Sequence, residues 1–130
     1  MIAVDTCVVV RFLTRDDPAQ AARAKMQIEA GSVFVPRTVV LEVEWILRNI
    51  YRFDRDSIAS GLTGLLALPG VGAEDGPAVM RAPAWYGQGL DFADALHLAS
   101  GHPAQAFATF DAALRRNARG IAEAIPVVAP

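Results

Sequence analysis

Ile2-Ala3-Val4-Asp5-Thr6-Cys7-Val8-Val9-Val10-Arg11-Phe12-Leu13 is the stretch on which the reading of the fold turns. Ile2 to Val4 is a short β-compatible run that stops at a carboxylate. The apolar residues that follow fit strand or helix, and we read Cys7 to Leu13 as helix. The same alternation continues outward. Asp16-Asp17-Pro18 places an acidic cap ahead of an N-terminal proline, so a helix is expected from Pro18 to Ala30, ending at Gly31. Val33 to Val35 is the second strand. Thr38 to Tyr51 is the clearest helix, because Val39, Val43, Ile46, Leu47 and Ile50 recur at helical spacing and predict one apolar stripe. A further helix is expected from Asp54 or Asp56 to Leu66, broken by Pro69-Gly70. Val71 to Ala73 follows as a third strand, then a helix from Gly76-Pro77 that Pro83 must kink or interrupt. Asp91 opens an Ala-rich helix to Ser100, stopped by Gly101-His102-Pro103. Ala106 to Thr109 reads as a fourth strand, Asp111 to Arg119 as a short helix and Ile125 to Val128 as a fifth strand. Strands alternating with helices imply right-handed βαβ units, hence an α/β fold with a parallel sheet covered on both faces, in one domain over residues 1–130.

Composition bounds what such a domain does. The 130 residues carry a formal net charge of −2 and are 53% hydrophobic, which excludes a disordered tail and a multidomain enzyme. With Gly counted and Tyr left out, about 59% of the residues are apolar against roughly 45–50% for an average soluble domain, so some apolar surface is expected to be shared with another chain, although 24 residues are Ala and bury little area each. One cysteine forms no internal disulfide, no stretch reaches the ~18 apolar residues of a membrane span, and Asp5 stands where a signal peptide would be positive. A cytoplasmic protein away from membranes is expected. Eleven of the 12 basic residues are Arg, a choice that favours bidentate binding of carboxylate or phosphate over a diffuse cationic coat. An acidic chain that binds nucleic acid does so through local patches or through cations that reverse the local sign.

In an open parallel sheet the ligand crevice lies beyond the carboxyl ends of the strands, so acids just after strands are the first candidates. Asp5 closes the first strand and Asp111 follows the fourth. Asp94 and Glu42 each lie one turn into a helix near a strand end. Carboxylates gathered in one crevice raise each other's pKa values and need hydrogen bonds or cations. All-oxygen donors suit Mg²⁺ or Mn²⁺, whereas His97, His102 and Cys7 lack a zinc spacing. Such a site binds phosphate oxygens and activates water for in-line phosphodiester cleavage. The structural alternatives are a loop acid at Asp5, a helix-surface acid at Asp94 and an N-cap at Asp111. Glu42 and Glu44 lie ~200° apart around a helix, so they cannot both face the site, and one of them is expected in solvent.

The segments that carry these acids resemble the motifs of PIN-domain ribonucleases, most closely VapC-type toxins of bacterial toxin-antitoxin pairs. Asp5-Thr6-Cys7-Val8-Val9-Val10-Arg11-Phe12-Leu13-Thr14 resembles the family's opening segment. Pro36 to Leu47 is similar to its second motif and selects Glu42 over Glu44. Phe92-Ala93-Asp94-Ala95-Leu96-His97-Leu98-Ala99 looks like the third motif, and Ala108-Thr109-Phe110-Asp111 like the fourth. The resemblance implies a three-layer α/β/α sandwich and metal-dependent endonucleolytic cleavage of RNA. It also implies Asp5, Glu42, Asp94 and Asp111 as ligands of one or two Mg²⁺ ions, with Mn²⁺ a possible substitute and Thr6 and Thr109 in support. The implied partners are RNA, a second copy of the chain and a small antitoxin protein. Cys7 departs from the Asn or Ser the family often carries there, and a thiol is a poor donor for supporting a metal ligand.

Around these acids, Asp91 reads as a helix cap, with an outer ligand as the alternative, and His97 as a structural or exposed histidine. Trp45 and Trp85 read as core residues, with interface anchors as the alternative. Arg48, Arg52 and Arg55 fall near one face if their helix persists, and Arg115, Arg116 and Arg119 follow Asp111; they are candidates for gripping RNA, against a solvated, salt-bridged surface. A phosphoacceptor receiver domain lacks its lysine, since Lys25 is the only one. A haloacid-dehalogenase-like phosphatase would want Asp where Cys7 stands. The remaining alternative is a non-catalytic PIN-fold module that binds RNA or protein.

Overall fold

The computed structural model describes all residues from Met1 to Pro130. Twelve elements follow in order: β1 (Ile2–Ala3), α1 (Thr6–Thr14), α2 (Pro18–Glu29), β2 (Val33–Val35), α3 (Arg37–Asn49), α4 (Arg55–Leu66), β3 (Val71–Ala73), α5 (Gly76–Gly87), α6 (Phe92–Ser100), β4 (Phe107–Ala108), α7 (Ala112–Ala118) and β5 (Val127–Val128). Every strand pair is parallel, as the alternation of strand and helix predicts. The pairs form two ladders, β1-β2-β3 and β4-β5, with Ile2 opposite Val33, Val33 opposite Val71 and Phe107 opposite Val127. β2 is the central strand of its ladder, and its Val33 and Val35 are fully buried, whereas both residues of β1 are exposed. The carboxyl ends of the three strands of the first ladder therefore lie along one edge, where Asp5, Pro36 and Glu74 follow them.

Local chemistry sets the helix ends. Asp5, Asp17, Asp54, Asp91 and Asp111 each precede a helix and accept a hydrogen bond from the backbone N–H three residues on, filling one of the orphan donors of the first turn. α3 begins after Pro36 with no cap of its own. Glu74, beyond β3, supplies one by accepting from the Arg37 backbone N–H at 3.2 Å. Gly70, at φ +79°, lies so close to Gly31 that a Cβ on it would stand 2.7 Å from the Gly31 Cα, and this close approach brings the Gly70 carbonyl to the Val33 N–H at 2.8 Å. Pro83 sits buried inside α5, and the helix continues through it rather than being interrupted.

One core of 26 buried residues joins all seven helices to the sheet. α6 packs on α5, and its small residues Ala95 and Ala99 are fully buried. On α3 the buried stripe is Val40, Val43, Glu44 and Leu47, displaced from the expected one. Ile50 is 63% exposed, because the helix ends at Asn49 and the chain turns away through Arg52 at φ +59°.

Candidate functional site

Asp5 and Asp111 are both helix N-caps, accepting from the Val8 N–H at 3.1 Å and the Leu114 N–H at 3.0 Å through one carboxylate oxygen each. The second oxygen of each remains available, and both residues are exposed. Asp111 thus fills the N-cap named as its structural alternative, and its cap bond occupies one oxygen only. Thr109 stands beside it, its hydroxyl accepting from the Asp111 N–H at 3.0 Å.

Glu42 projects from the second turn of α3 and takes a short hydrogen bond from the buried hydroxyl of Thr6. That contact ties α3 to the first residue of α1, and so to Asp5. The hydroxyl that reaches Glu42 is that of Thr6, while the neighbouring Cys7 thiol is exposed. Glu42 also opens onto a cleft of about 530 Å³ that Asp91 and Ala93 border from the other side. Asp91 is the α6 cap, accepting from the Asp94 N–H at 3.1 Å.

Asp94, in the first turn of α6, is half-buried and its carboxylate receives no hydrogen bond. Burial pushes its pKa above the ordinary carboxylate value, and the charges of Asp91 and Asp111 push it further, with His97 acting weakly the other way. Asp111 is therefore close enough to Asp94 to be felt. Two links are in place among the four acids: Thr6, the neighbour of Asp5, bonds Glu42, and the charge of Asp111 acts on Asp94. No three His, Cys, Asp or Glu side chains stand near enough to enclose a metal ion by themselves. The donor set is nonetheless all carboxylate, with free oxygens and uncompensated charge at Asp94, which fits a hard divalent cation.

Four expectations change. Glu44, the acid passed over in favour of Glu42, is not in solvent: it is 3% exposed, and accepts from Arg48 Nε at 2.7 Å and from the Tyr86 hydroxyl at 3.0 Å. Burial and the Glu44 charge push the Tyr86 phenol up to about 12, and the same hydrogen-bonded carboxylate raises Arg48. Trp45 is 51% exposed, whereas Trp85 is core at 5%. Arg55 does not share a face with Arg48, since α3 and α4 are separate helices. Its guanidinium donates to the Tyr86 and Leu90 carbonyls at 2.8 and 2.6 Å and stacks on the Tyr86 ring. Arg115 likewise donates to the Thr109 carbonyl at 2.7 Å, a structural duty. The Glu44–Arg48–Tyr86 group escaped sequence reading; the i, i+4 spacing of Glu44 and Arg48 was its only local signal.

A parallel α/β fold with carboxylates just after its strands, as Asp5, Glu74 and Asp111 stand here, fits a class of proteins that handle a charged ligand at strand ends. A family model described as PIN domain matches residues 2–120, and the chain belongs to the PIN domain family. PIN domains are generally nucleases, bind RNA and typically use divalent metal ions, so at that level the chain has a nuclease-like, hydrolytic fold. No curated protein and no solved structure matches it. No helix is long and apolar enough to cross a membrane.

Proposed function

We propose that residues 1–130 act as one PIN domain, a metal-dependent endoribonuclease in which Asp5, Glu42, Asp94 and Asp111 hold Mg²⁺, with Mn²⁺ as a substitute. The observation that carries this reading is Asp94: a half-buried carboxylate with no hydrogen-bond donor, flanked by the charges of Asp91 and Asp111. A fold keeps such a group when a cation is meant to offset it. A bound divalent ion supplies Lewis-acid charge that lowers the pKa of water and offsets the charge of the phosphodiester. The chain's own residues do the rest. Thr6 holds the Glu42 carboxylate in one orientation. The N-cap bonds fix one oxygen of Asp5 and of Asp111 and leave the other for ligation. Thr109 braces the turn that presents Asp111.

Likeness to VapC-type toxins supports a finer reading, in which the chain is the toxin of a toxin-antitoxin pair. It then acts in the cytoplasm, as a homodimer, and is neutralised by a small antitoxin. The test of the chemistry is cleavage of single-stranded RNA by the purified chain with Mg²⁺, with EDTA, and after Asp94→Asn or Asp5→Asn. Loss of cleavage with EDTA and in both variants is expected; cleavage undiminished by either change overturns the reading. Growth arrest on induction, relieved by co-expressing the adjacent gene, tests the toxin role separately.

A second reading, a non-catalytic PIN module that binds RNA or protein, draws on the absence of three acids near enough to enclose an ion. Retention of RNA without cleavage at saturating Mg²⁺ and Mn²⁺ would favour it.

A further inference from the structure

The cleft beside Glu42 holds two features that a four-carboxylate site does not use. The first is Trp45, whose indole is 51% exposed in a chain that buries its other tryptophan. The second is Glu44. A buried carboxylate is expensive, and an apolar side chain of similar size would pack there at least as well. What Glu44 gains is a fixed Arg48: it grips Nε at 2.7 Å and Nη2 at 3.4 Å, while Tyr86 donates to it from the core side. Arg48 remains 47% exposed, so its other donors stay free at the rim of the cleft.

We propose that this cleft is a nucleotide subsite of the RNA substrate, in which Trp45 stacks on an unpaired base and Arg48, held in place by Glu44, contacts the neighbouring phosphate. The proposal rests on the ribonuclease reading and deepens it. A volume of about 530 Å³ suits a nucleotide. Glu42 borders the same cleft, which sets the stacked base beside the bond to be cut. Glu42 and Asp91 repel a phosphate from their wall, leaving Arg48 as its place and the neutral base for the indole. An exposed indole face takes a base only when that base is unpaired, so single strands are preferred over duplexes. A second copy of the chain is the less suitable occupant, because interface centres are depleted in charge and this lining carries Glu42, Asp91 and Arg48.

The test is tryptophan fluorescence in the Asp94→Asn chain, which binds without cutting, titrated with a single-stranded oligoribonucleotide and with its duplex. Saturable quenching by the single strand, absent with the duplex and abolished in an added Trp45→Ala change, is expected. Trp45→Ala should also weaken binding roughly tenfold. Arg48→Ala should flatten the slope of log K against log salt by about 0.7. As a positioning residue, Glu44 should act through Arg48: the effects of Glu44→Gln and Arg48→Ala on RNA affinity are expected to be non-additive, whereas a purely structural Glu44 gives additive losses. If Asp94→Asn fails to fold, the unaltered chain in EDTA, titrated to higher RNA concentration to offset the weaker binding, gives the quenching readout.

Binding that leaves fluorescence unchanged and is insensitive to Trp45→Ala overturns the subsite. So does a fluorescence change that follows protein concentration without RNA, together with a dimer lost in Trp45→Ala, which assigns the face to contact between copies. Quenching without any cleavage by the unaltered chain would instead remove the nuclease reading and leave the subsite standing.

Discussion

Asp94 shows how one side chain carries a functional argument. The folded protein raises its pKa, so the protonated carboxyl suits the fold better than the carboxylate. That contribution to stability is full below the ordinary carboxyl value of 3.8 and is lost as pH rises through the raised value. At neutral pH and without divalent ions, Asp94→Asn should therefore melt higher than the parent by roughly 1–4 °C, with the gap closing as the pH is lowered. A variant that melts lower under those conditions contradicts the argument. Thr6 makes a complementary case. Thr6→Val keeps the shape and removes the hydroxyl that holds Glu42, so RNA cleavage measured at saturating Mg²⁺ is expected to fall by about 10- to 100-fold. Thr6 was readable as a supporting residue only by resemblance. Its partner lies 36 residues away, and no local pattern connects the two.

Among the elements, most helix starts were legible: Asp17-Pro18, Asp91 and Asp111 start helices where their side chains satisfy the first backbone donors, and that chemistry is local, whereas the Asp5 cap, the choice of Asp54 over Asp56, the Glu74 cap on α3 and the continuation of α5 through Pro83 were not. The orientation of α3 was legible only in part. Its apolar residues run most of the way round the helix, and only packing decides that Val40, Val43 and Leu47 face the core and Ile50 faces water. Arg55 belongs at this scale. The sequence leaves it between gripping RNA and a solvated, salt-bridged surface, and the fold uses it to tie the start of α4 to the end of α5 and the α5–α6 connection through two backbone carbonyls. Arg55→Met is expected to cost about 2 kcal/mol in urea denaturation, the scale of charge-assisted hydrogen bonds lost to a part-buried site. RNA affinity below the transition should be unchanged. A stable variant with a reduced salt slope for RNA binding would restore the grip role.

For the whole molecule, the sum of charge matters. A chain of net charge −2 with carboxylates as its proposed site residues meets an RNA polyanion poorly unless cations intervene. Thermal unfolding should shift upward with added Mg²⁺ or Mn²⁺, and the shift should disappear in Asp94→Asn. EDTA should weaken RNA binding as well as cleavage. A shift of equal size in Asp94→Asn would place the ion elsewhere.

By itself the sequence determined the alternation of strand and helix, the parallel pairing of the strands, most helix starts and the place of Asp5 and Asp111 just after strands. These follow from side-chain period, backbone propensity and capping, which act over a few residues. Tertiary structure alone decided which groups meet: Thr6 with Glu42, Tyr86 with Glu44, and Asp111 within the field of Asp94. It also decided that Glu44 is buried and Trp45 exposed, against the expectation for each. The physical reason is compensation at a distance. A carboxylate enters the core only where Arg48 and a tyrosine 42 residues away satisfy its oxygens, and no local pattern in the chain announces that meeting.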